Sequence, residues 1–383
     1  MIVIKKGCVR VVNQKRLVEE FLELVKIDSE SKNEMQMVKI LMEKFKVLNV
    51  EVFEDDSKER TGQLAGNLIC TLKGSDSSIS PIYFTCHMDT VTPGKGVKPV
   101  IKDDIIMTDG TTVLGADDKA GIASILEVVK VLKEKQISHG DIQFILTVSE
   151  EIGLVGSQAI NPNLLNAEFG YAIDSGGTVG DIIVAAPTQS KITAEIFGKK
   201  AHAGVEPEKG ISAITIASKA ISKMPLGRID DELTANIGIF KGGTATNIVC
   251  DYVEIIAEAR ALVSEKMENQ SKLMKEIFEE TALEMGGHAD VSIEVLYAGY
   301  KLGEGDKVVE IAQRAAKRIG RHGNLLQSGG GSDANIFSGF GIPTVNLAVG
   351  YEDIHTTDEK MPIAELVKVA EMVIAIIEET AKK

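Results

Sequence analysis

The sequence predicts an α/β fold with a mostly parallel central sheet. Four short apolar runs are typical of buried strands, and a helical segment separates the first two; the runs are residues 82–86, 142–148, 169–173 and 342–349. Continuous apolar strands that alternate with helices indicate a parallel sheet covered on both faces. With 383 residues, of which 44% are apolar, the chain is long enough for two or three domains, each with its own core.

The helices and strands around these four runs are predicted from the spacing of apolar residues along the chain. Residues 13–48 have the apolar spacing of helices. Two short strands are expected at residues 50–53 and 67–72, before a loop rich in Gly, Ser, Asp and Pro at residues 74–81. Residues 117–136 predict a helix, because their apolar side chains lie on one side.

Residues 189–297 predict a second domain inserted into the first. They contain a strand, a helix, two strands, a long charged helix and a last strand, at residues 192–197, 211–224, 234–240, 247–261, 264–285 and 291–296. The order β-α-β-β-α-β is the signature of a ferredoxin-like fold. We therefore expect a large domain formed by residues 1–188 and 298–383, interrupted by this smaller one.

Composition and charge exclude several classes of protein. The net charge is −14 and the pI is about 5.1, whereas binding to a nucleic-acid backbone requires a basic face. No run approaches the ~18 apolar residues of a membrane span, and the start MIVIKKGCVR lacks the apolar stretch of a secretory signal. Four cysteines (Cys8, Cys70, Cys86, Cys250) are too few for a disulfide scaffold. We expect a cytoplasmic protein with no nucleic-acid or membrane partner.

Histidines and carboxylates follow the ends of all four predicted strands. They are His87 and Asp89, Glu150 and Glu151, Asp174, and His355, with Asp117 at the start of the helix between the first two strands. In parallel sheets, ligands bind beyond the carboxyl ends of the strands. Nitrogen and carboxylate ligands without thiolates suit Zn²⁺, and also Mn²⁺ or Co²⁺. Two histidines and three carboxylates around two divalent ions would leave one positive charge, which suits a bridging hydroxide.

Each of these residues also has a purely structural interpretation. Asp117 is suited to cap its helix. Glu150 and Glu151 fit a solvated loop, and His355 fits a surface loop rich in Thr, Asp and Glu. The recurrence of such groups at four matching strand ends favours one shared site over four unrelated loops.

These motifs resemble those of the zinc-dependent exopeptidase family that includes peptidase T, the acetylornithine deacetylases and the glutamate carboxypeptidases. The matching segments, in chain order, are HMDT at 87–90, GADDKAG at 115–121, EEIG at 150–153, DSG at 174–176 and the late His355. The resemblance covers nearly the whole chain, including the inserted domain. GADDKAG together with EEIG is most similar to the peptidase T branch, the aminotripeptidases.

The resemblance implies a site for two metal ions. One ion would be held by His87 and Asp174 and the other by Glu151 and His355, with Asp117 as the bridge. A carboxylate suits the bridging position because its two oxygens can span ions about 3.5–4 Å apart.

Asp89 and Glu150 are two further candidates beside the metal ligands. Asp89 lies two residues after His87, so both side chains point the same way if the strand geometry continues. Asp89 would accept the second ring N–H of His87 and fix its tautomer, with a turn-capping Asp as the alternative. Glu150 would be the general base: it would take a proton from a metal-bridging water, the resulting hydroxide would attack the scissile carbonyl, and Glu150 would then pass the proton to the leaving amine.

The inserted domain would act as a lid that contacts the substrate. His202, in GKKAHAG at 198–204, would donate to the oxyanion, with a plain loop histidine as the alternative. Asn247 and Arg260 would bind a substrate carboxylate, although Arg260 also fits a surface ion pair. Gly330, in the Gly-rich segment 328–333, would offer N–H groups to the same carboxylate or to a phosphate. A homodimer through this domain, with His202 serving the partner's site, is a further expectation.

The predicted activity is hydrolysis of short peptides by a two-metal exopeptidase, in particular an aminotripeptidase. A carboxypeptidase or an N-acyl amino acid deacylase of the same family stays an alternative, since no motif separates them. Two other classes also stay open: a metal- or peptide-binding protein without turnover, and an enzyme that binds a phosphate cofactor at the Gly-rich segment.

Overall fold

The computed structural model describes residues 11–382, which form two compact units. Unit 1 contains the described residues up to Val184, together with Leu302–Gln327 and the residues from Ser332 onward. Unit 2 contains Ala185–Lys301 and Ser328–Gly331. The segment MIVIKKGCVR, with Cys8, lies outside the described residues. Within the described chain, no helix combines the length and the apolar character that crossing a membrane requires.

Helices and strands alternate through most of the chain. The helices are α1 (Gln14–Val25), α2 (Met35–Val47), α3 (Ser57–Thr61), α4 (Ala116–Lys135), α5 (Val155–Ala159), α6 (Ala213–Lys223), α7 (Ser264–Glu284), α8 (Lys307–Arg318), α9 (Asp333–Gly339) and α10 (Ile363–Thr380). The strands are β1 (Glu51–Glu54), β2 (Leu68–Leu72), β3 (Ile82–His87), β4 (Val100–Lys102), β5 (Ile105–Met107), β6 (Ile142–Thr147), β7 (Phe169–Ser175), β8 (Ile182–Ala186), β9 (Thr188–Phe197), β10 (Gly227–Arg228), β11 (Leu233–Gly242), β12 (Tyr252–Ala261), β13 (His288–Tyr297), β14 (Tyr300–Lys301), β15 (Leu325–Gln327), β16 (Thr344–Ala348) and β17 (Lys360–Pro362).

The central sheet of unit 1 has a parallel core, which confirms the predicted fold class. The strands that unit 1 contributes follow the order β1-β2-β6-β3-β7-β16-β8, and β15 also pairs with β8. β3 is parallel to both β6 and β7, and β16 is parallel to β7, whereas β1, β2 and β8 are antiparallel to their neighbours. Because β3, β6 and β7 run side by side in one direction, their carboxyl ends meet at one edge of the sheet.

Aromatic packing fixes the strands that form this edge. Every residue of β3 and β6 is buried, as a sheet covered on both faces requires. The ring of Phe84 on β3 stacks on Phe144 of β6 at 6.2 Å and on Tyr171 of β7 at 5.5 Å between centroids. Such contacts add to the free energy of burying the rings and join three neighbouring strands. The buried helix α4 packs against β3 and against the helices α1 and α10.

The amino-terminal part of unit 1 differs from the prediction. The expected helical stretch at residues 13–48 is two helices, since α1 ends at Val25 and α2 begins at Met35. The chain between them pairs with residue 90, where Thr90 N donates to Ser29 O (3.0 Å) and Ser31 N donates to Thr90 O (3.2 Å). These main-chain groups are bonded to Thr90 instead of within a helix, so helical spacing alone could not reveal the break.

Unit 2 is an antiparallel sheet covered by two helices. The strand order is β10-β11-β12-β9-β13. α6 and α7 pack against each other and against the sheet, around an apolar cluster that includes Ile192, Ala194, Ile196, Ile216, Val253, Ile255, Met274 and Phe278. The predicted insertion, residues 189–297, falls inside this unit, and its function as a lid stays a prediction.

One strand of unit 2 is shorter than predicted. The strand expected at residues 247–261 begins only at Tyr252. The residues before it pair with another loop, where Ala203 N donates to Asn247 O (2.9 Å) and Val249 N donates to Ala201 O (3.0 Å). Asn247 is therefore a loop residue.

Candidate metal centre

Three parallel strands end side by side and carry most of the candidate ligands. His87 is the last residue of β3 and lies in register with Thr147, the last residue of β6. Glu150 and Glu151 follow just beyond β6, and Asp174 is the second-last residue of β7. The sheet therefore brings together residues that are far apart in the sequence.

His87 makes the first group of contacts. Its Nε2 lies 2.9 Å from Oδ1 of Asp117 and 3.6 Å from Oδ1 of Asp174. All three side chains are nearly shielded from solvent. Two carboxylates thus face one ring nitrogen.

His355 brings a second imidazole to the other oxygen of Asp117. Its Nε2 lies 3.4 Å from Oδ2 of Asp117 and 3.0 Å from Oε1 of Glu151. Half of the His355 side chain is exposed, so it borders the solvent. Asp117 faces one histidine with each of its oxygens, the arrangement expected of a carboxylate shared by two ions.

Asp117 and Asp118 are neighbours with different surroundings. Both depart from helical dihedral angles, so the regular part of α4 starts at Lys119. Asp118 is buried, and its Oδ1 accepts the N–H of Gly121 (3.2 Å), as a helix-capping side chain does. The capping function that the sequence offered for Asp117 therefore belongs to Asp118.

The donor atoms fit a divalent cation. One ligand atom each from His87, Asp117 and Glu151 lie within 4.8 Å of one another. Ligands at about 2.0–2.2 Å from a tetrahedral zinc ion are about 3.3–3.6 Å apart, close to the separations of 2.9 to 3.6 Å in this site. Oε1 of Glu151 is buried and makes no hydrogen bond despite its closeness to His355, so this oxygen lacks the partner that a cation would supply.

The crowded carboxylates require positive charge. Burial by itself would lower the pKa of His87, but contacts with Asp117 and Asp174 raise it well above its usual value. The Asp117 and Glu151 carboxylates raise the pKa of His355 to about 10. Burial, with the charge of Asp117, raises the pKa of Asp174 to about 7. Protons or cations between these groups therefore stabilise the site.

Asp89 holds the main chain of the segment that contains Glu150. Its Oδ1 accepts the N–H of Glu150 (2.9 Å), and its Oδ2 accepts the N–H of Glu151 (3.2 Å) and the hydroxyl of Ser31 (2.7 Å). Nδ1 of His87 lies 3.0 Å from the main-chain oxygen of Asp89 and 3.5 Å from its carboxylate. The acceptor nearer to His87 is thus the main-chain carbonyl of Asp89, and the carboxylate that was expected to accept from His87 lies 0.5 Å farther away.

Glu150 lies in a position where burial raises the pKa of its carboxyl group. Desolvation, with the charge of Asp174 added, raises the pKa of Glu150 well above its usual value. A carboxyl group that titrates nearer neutral pH can both accept and return a proton.

Other side chains that hold this site were missed by the sequence analysis. Asn346, on β16, accepts the N–H of Asp174 (2.9 Å) and donates to its carbonyl (2.7 Å). Glu359 accepts the N–H of Asp117 (3.1 Å). The signal for Asn346 is an amide inside an apolar strand. Glu359 gives no such signal, because an acidic residue in a polar loop is ordinarily solvated.

The substrate residues predicted in unit 2 form two pairs. His202 and Asn247 are exposed on adjacent loops, joined by the bond from Ala203 N to Asn247 O. Nδ1 of His202 accepts the N–H of Gly204 (3.2 Å). These contacts leave Nε2 of His202 as the ring nitrogen available to another group.

Arg260 and Gly330 form the second pair. The Arg260 guanidinium donates from Nε and Nη2 to Glu258, at 2.9 and 3.0 Å, so the ion-pair interpretation of Arg260 is correct in part. A Cβ added at Gly330 would lie 3.8 Å from Nη1 of Arg260. The Gly-rich segment therefore passes beside the remaining edge of the guanidinium.

Comparison with known proteins agrees with this geometry. The sequence pattern of Peptidase family M20/M25/M40 matches residues 83–379. A relative, the uncharacterized protein YqjE of Bacillus subtilis, is 66% identical over 97% of this chain and 100% of its own.

Two solved structures are similar over the same extent. The aminopeptidase PepT from Bacillus cereus is 64% identical with a TM-score of 0.90, over 97% of this chain and 100% of that one. A tripeptidase from Staphylococcus aureus is 51% identical with a TM-score of 0.94, over the same shares. The chain therefore belongs to peptidase family M20/M25/M40 and is a peptidase.

Proposed function

We propose that this peptidase is an aminotripeptidase that uses two divalent metal ions, with Zn²⁺ as the first choice and Mn²⁺ or Co²⁺ as alternatives. The observation that carries the proposal is the metal-binding geometry: one ligand atom each of His87, Asp117 and Glu151 lie within 4.8 Å of one another. The identity of 51% to a tripeptidase supports the choice of substrate. The cytoplasmic location stays a prediction.

The proposed ligands follow the two groups of contacts. His87 and Asp174 hold one ion, Glu151 and His355 hold the other, and Asp117 is shared. When bound, the ions would polarise the scissile carbonyl and lower the pKa of a water molecule. The distances around the two oxygens of Asp117 support this assignment.

Glu150 is the proposed general base. It takes a proton from the attacking water and returns it to the amine that leaves, so its raised pKa suits both steps. Asp89 is a positioning residue in this proposal, because its carboxylate holds the N–H groups of Glu150 and Glu151.

Unit 2 supplies the proposed substrate contacts. His202 donates to the oxyanion through its free ring nitrogen. Arg260, with Asn247 and the N–H groups near Gly330, binds the carboxylate of the peptide, since a planar guanidinium can pair with a planar carboxylate in a bidentate manner. A homodimer through unit 2 remains part of the proposal, and sedimentation over a dilution series tests it.

Hydrolysis of a matched substrate panel tests the activity. Purified protein loaded with Zn²⁺, Mn²⁺ or Co²⁺ would be given tripeptides, dipeptides, amino-terminally blocked tripeptides and N-acetyl amino acids. We expect release of the amino-terminal residue from free tripeptides. Release of the carboxy-terminal residue would indicate a carboxypeptidase, and cleavage of N-acetyl amino acids would indicate a deacylase.

Metal analysis separates a peptidase from a binding protein. We expect two zinc ions per chain, and loss of hydrolysis after chelation that is reversed by adding metal. Two bound ions without turnover of any peptide would favour a binding protein without catalysis.

A further inference from the structure

We infer that Glu359 is a positioning residue of the metal centre, which fixes the main chain of residues 114–117 and so holds Asp117 between the two histidines. The inference rests on the proposed function, because it takes Asp117 as a metal ligand. It adds a side chain that touches neither the proposed ions nor the substrate.

One carboxylate accepts three main-chain N–H groups. Oε2 of Glu359 accepts from Leu114 and Gly115, each at 2.8 Å, and Oε1 accepts from Asp117 at 3.1 Å. Glu359 is 2% exposed, and the residues that donate are buried as well. With water excluded, Glu359 is the acceptor on which these amides depend.

The backbone of this segment is shaped for such an acceptor. Gly115 has a φ of 73°, in the left-handed region, and a Cβ there would lie 2.9 Å from Cγ2 of Thr90. A turn of this kind points successive N–H groups toward one anion. Ordinary side chains are thus excluded from position 115, and the amides converge on Glu359.

Glu359 also joins two candidate ligands. It follows His355 by four residues and precedes β17, which pairs with β5. Its partner Asp117 is 242 residues away in the sequence. The segment that carries His355 is therefore connected to the main chain of Asp117 through the Glu359 side chain.

The chemistry of the three bonds requires a carboxylate. A glutamine has the same shape but carries an NH₂ group in place of one carboxylate oxygen. This NH₂ group would face a main-chain N–H group, and two donors cannot form a hydrogen bond with each other. An aspartate keeps both oxygens and the charge but is shorter by one CH₂ group. The buried ammonium of Lys119 is close enough for its charge to interact with Glu359, which offsets part of the cost of burying the carboxylate.

The test compares zinc affinity in Glu359→Gln, Glu359→Asp and the control Glu352→Gln. Glu352 is in the same loop, but its side chain is 55% exposed and pairs with Lys360. Competition with a chromophoric chelator would measure Zn²⁺ binding to the metal-free proteins. We expect affinity to fall by about 10- to 100-fold in Glu359→Gln, by less in Glu359→Asp, and not in Glu352→Gln. Zinc affinity of Glu359→Gln equal to that of the wild type would overturn the inference.

Hydrogen exchange of the metal-free wild type supplies a second, independent measurement. We expect the amides of Leu114, Gly115 and Asp117 to be protected before any metal is added, since Glu359 holds them. Rapid exchange of these amides would overturn the inference even if Glu359→Gln does not fold. If the wild type binds none of Zn²⁺, Mn²⁺ and Co²⁺, the proposed metal ligands are wrong. If the wild type binds two ions and Glu359→Gln binds them with the same affinity, only the inference about Glu359 fails.

Discussion

The two units hold their candidate residues in different ways. In unit 1, the side chains of His87, Asp117 and Glu151 are buried, and buried polar groups hold the segments that carry Asp117 and Glu151. In unit 2, His202 and Asn247 are exposed on loops. The difference indicates that the proposed metal centre is organised by the fold, whereas the proposed substrate residues are left open to a ligand. Changes in unit 1 should therefore alter turnover or metal binding, and changes to the residues of unit 2 that are proposed to bind the substrate carboxylate, such as Arg260, should alter substrate affinity.

The largest effect is expected from Glu150→Gln in unit 1. General acid–base catalysis contributes about 10²- to 10⁴-fold, so kcat for a tripeptide should fall by that factor. Zinc content should stay at the wild-type value, because Glu150 is not a proposed ligand. The exposed carboxylate of Glu352 gives the control, since Glu352→Gln should keep wild-type kcat. A Glu150→Gln enzyme with unchanged kcat would remove Glu150 from the mechanism.

Asn346→Ala should weaken metal binding without removing any ligand. The amide of Asn346 is bonded to both main-chain groups of Asp174, and the loss of such outer contacts lowers metal affinity by about 10- to 100-fold. The unpaired main-chain groups should also lower the free energy of unfolding by about 1–3 kcal/mol. Zinc titration and urea unfolding measure the two effects.

The control for Asn346 is an amide on the surface. Asn324 donates to Asp181 at 2.8 Å in an exposed position, so Asn324→Ala should leave zinc affinity unchanged. If Asn346→Ala and Asn324→Ala lost zinc affinity to the same extent, the contacts of Asn346 with Asp174 would have no special importance for the site.

Arg260→Lys probes unit 2. A lysine keeps the charge but loses the planar fork, so the KM for tripeptides should rise about tenfold while kcat changes little. Arg228→Lys, an exposed arginine of the same unit, is the control. If kcat fell and KM stayed constant, the contrast drawn between the two units would be wrong.

The smallest effect concerns the pH dependence of the metal-free protein. A histidine whose pKa is raised by folding stabilises the native state below its unfolded value of about 6.5, and this contribution is lost as pH rises through the folded value. With the pKa of His355 raised to about 10, the Tm of metal-free protein should fall between pH 6.5 and 10. In metal-free His355→Ala, the Tm should fall less steeply with pH over the same range. A Tm that rises over this range would contradict the charge balance described for unit 1.

Much of the fold was accessible from local patterns. The runs at 82–86, 142–148 and 169–173 are strands of the parallel core, because a fully buried strand must be apolar on both faces. The break between α1 and α2 and the late start of β12 were not accessible. In both places, main-chain groups form hydrogen bonds with another loop. The spacing of apolar residues does not depend on these bonds, so it could not predict where the helix or the strand ends.

The sequence by itself determined which chemical groups stand at the ends of the strands, since strand position and residue type are both local properties. Only the tertiary structure decided which carboxylate faces the histidines, which one caps a helix and which ones accept main-chain N–H groups. Asp117 faces the histidines while Asp118 caps a helix, and Asp89 and Glu359 hold main-chain N–H groups. The reason is physical: the function of a buried carboxylate depends on which donors surround it, and those donors come from segments as far as 245 residues away.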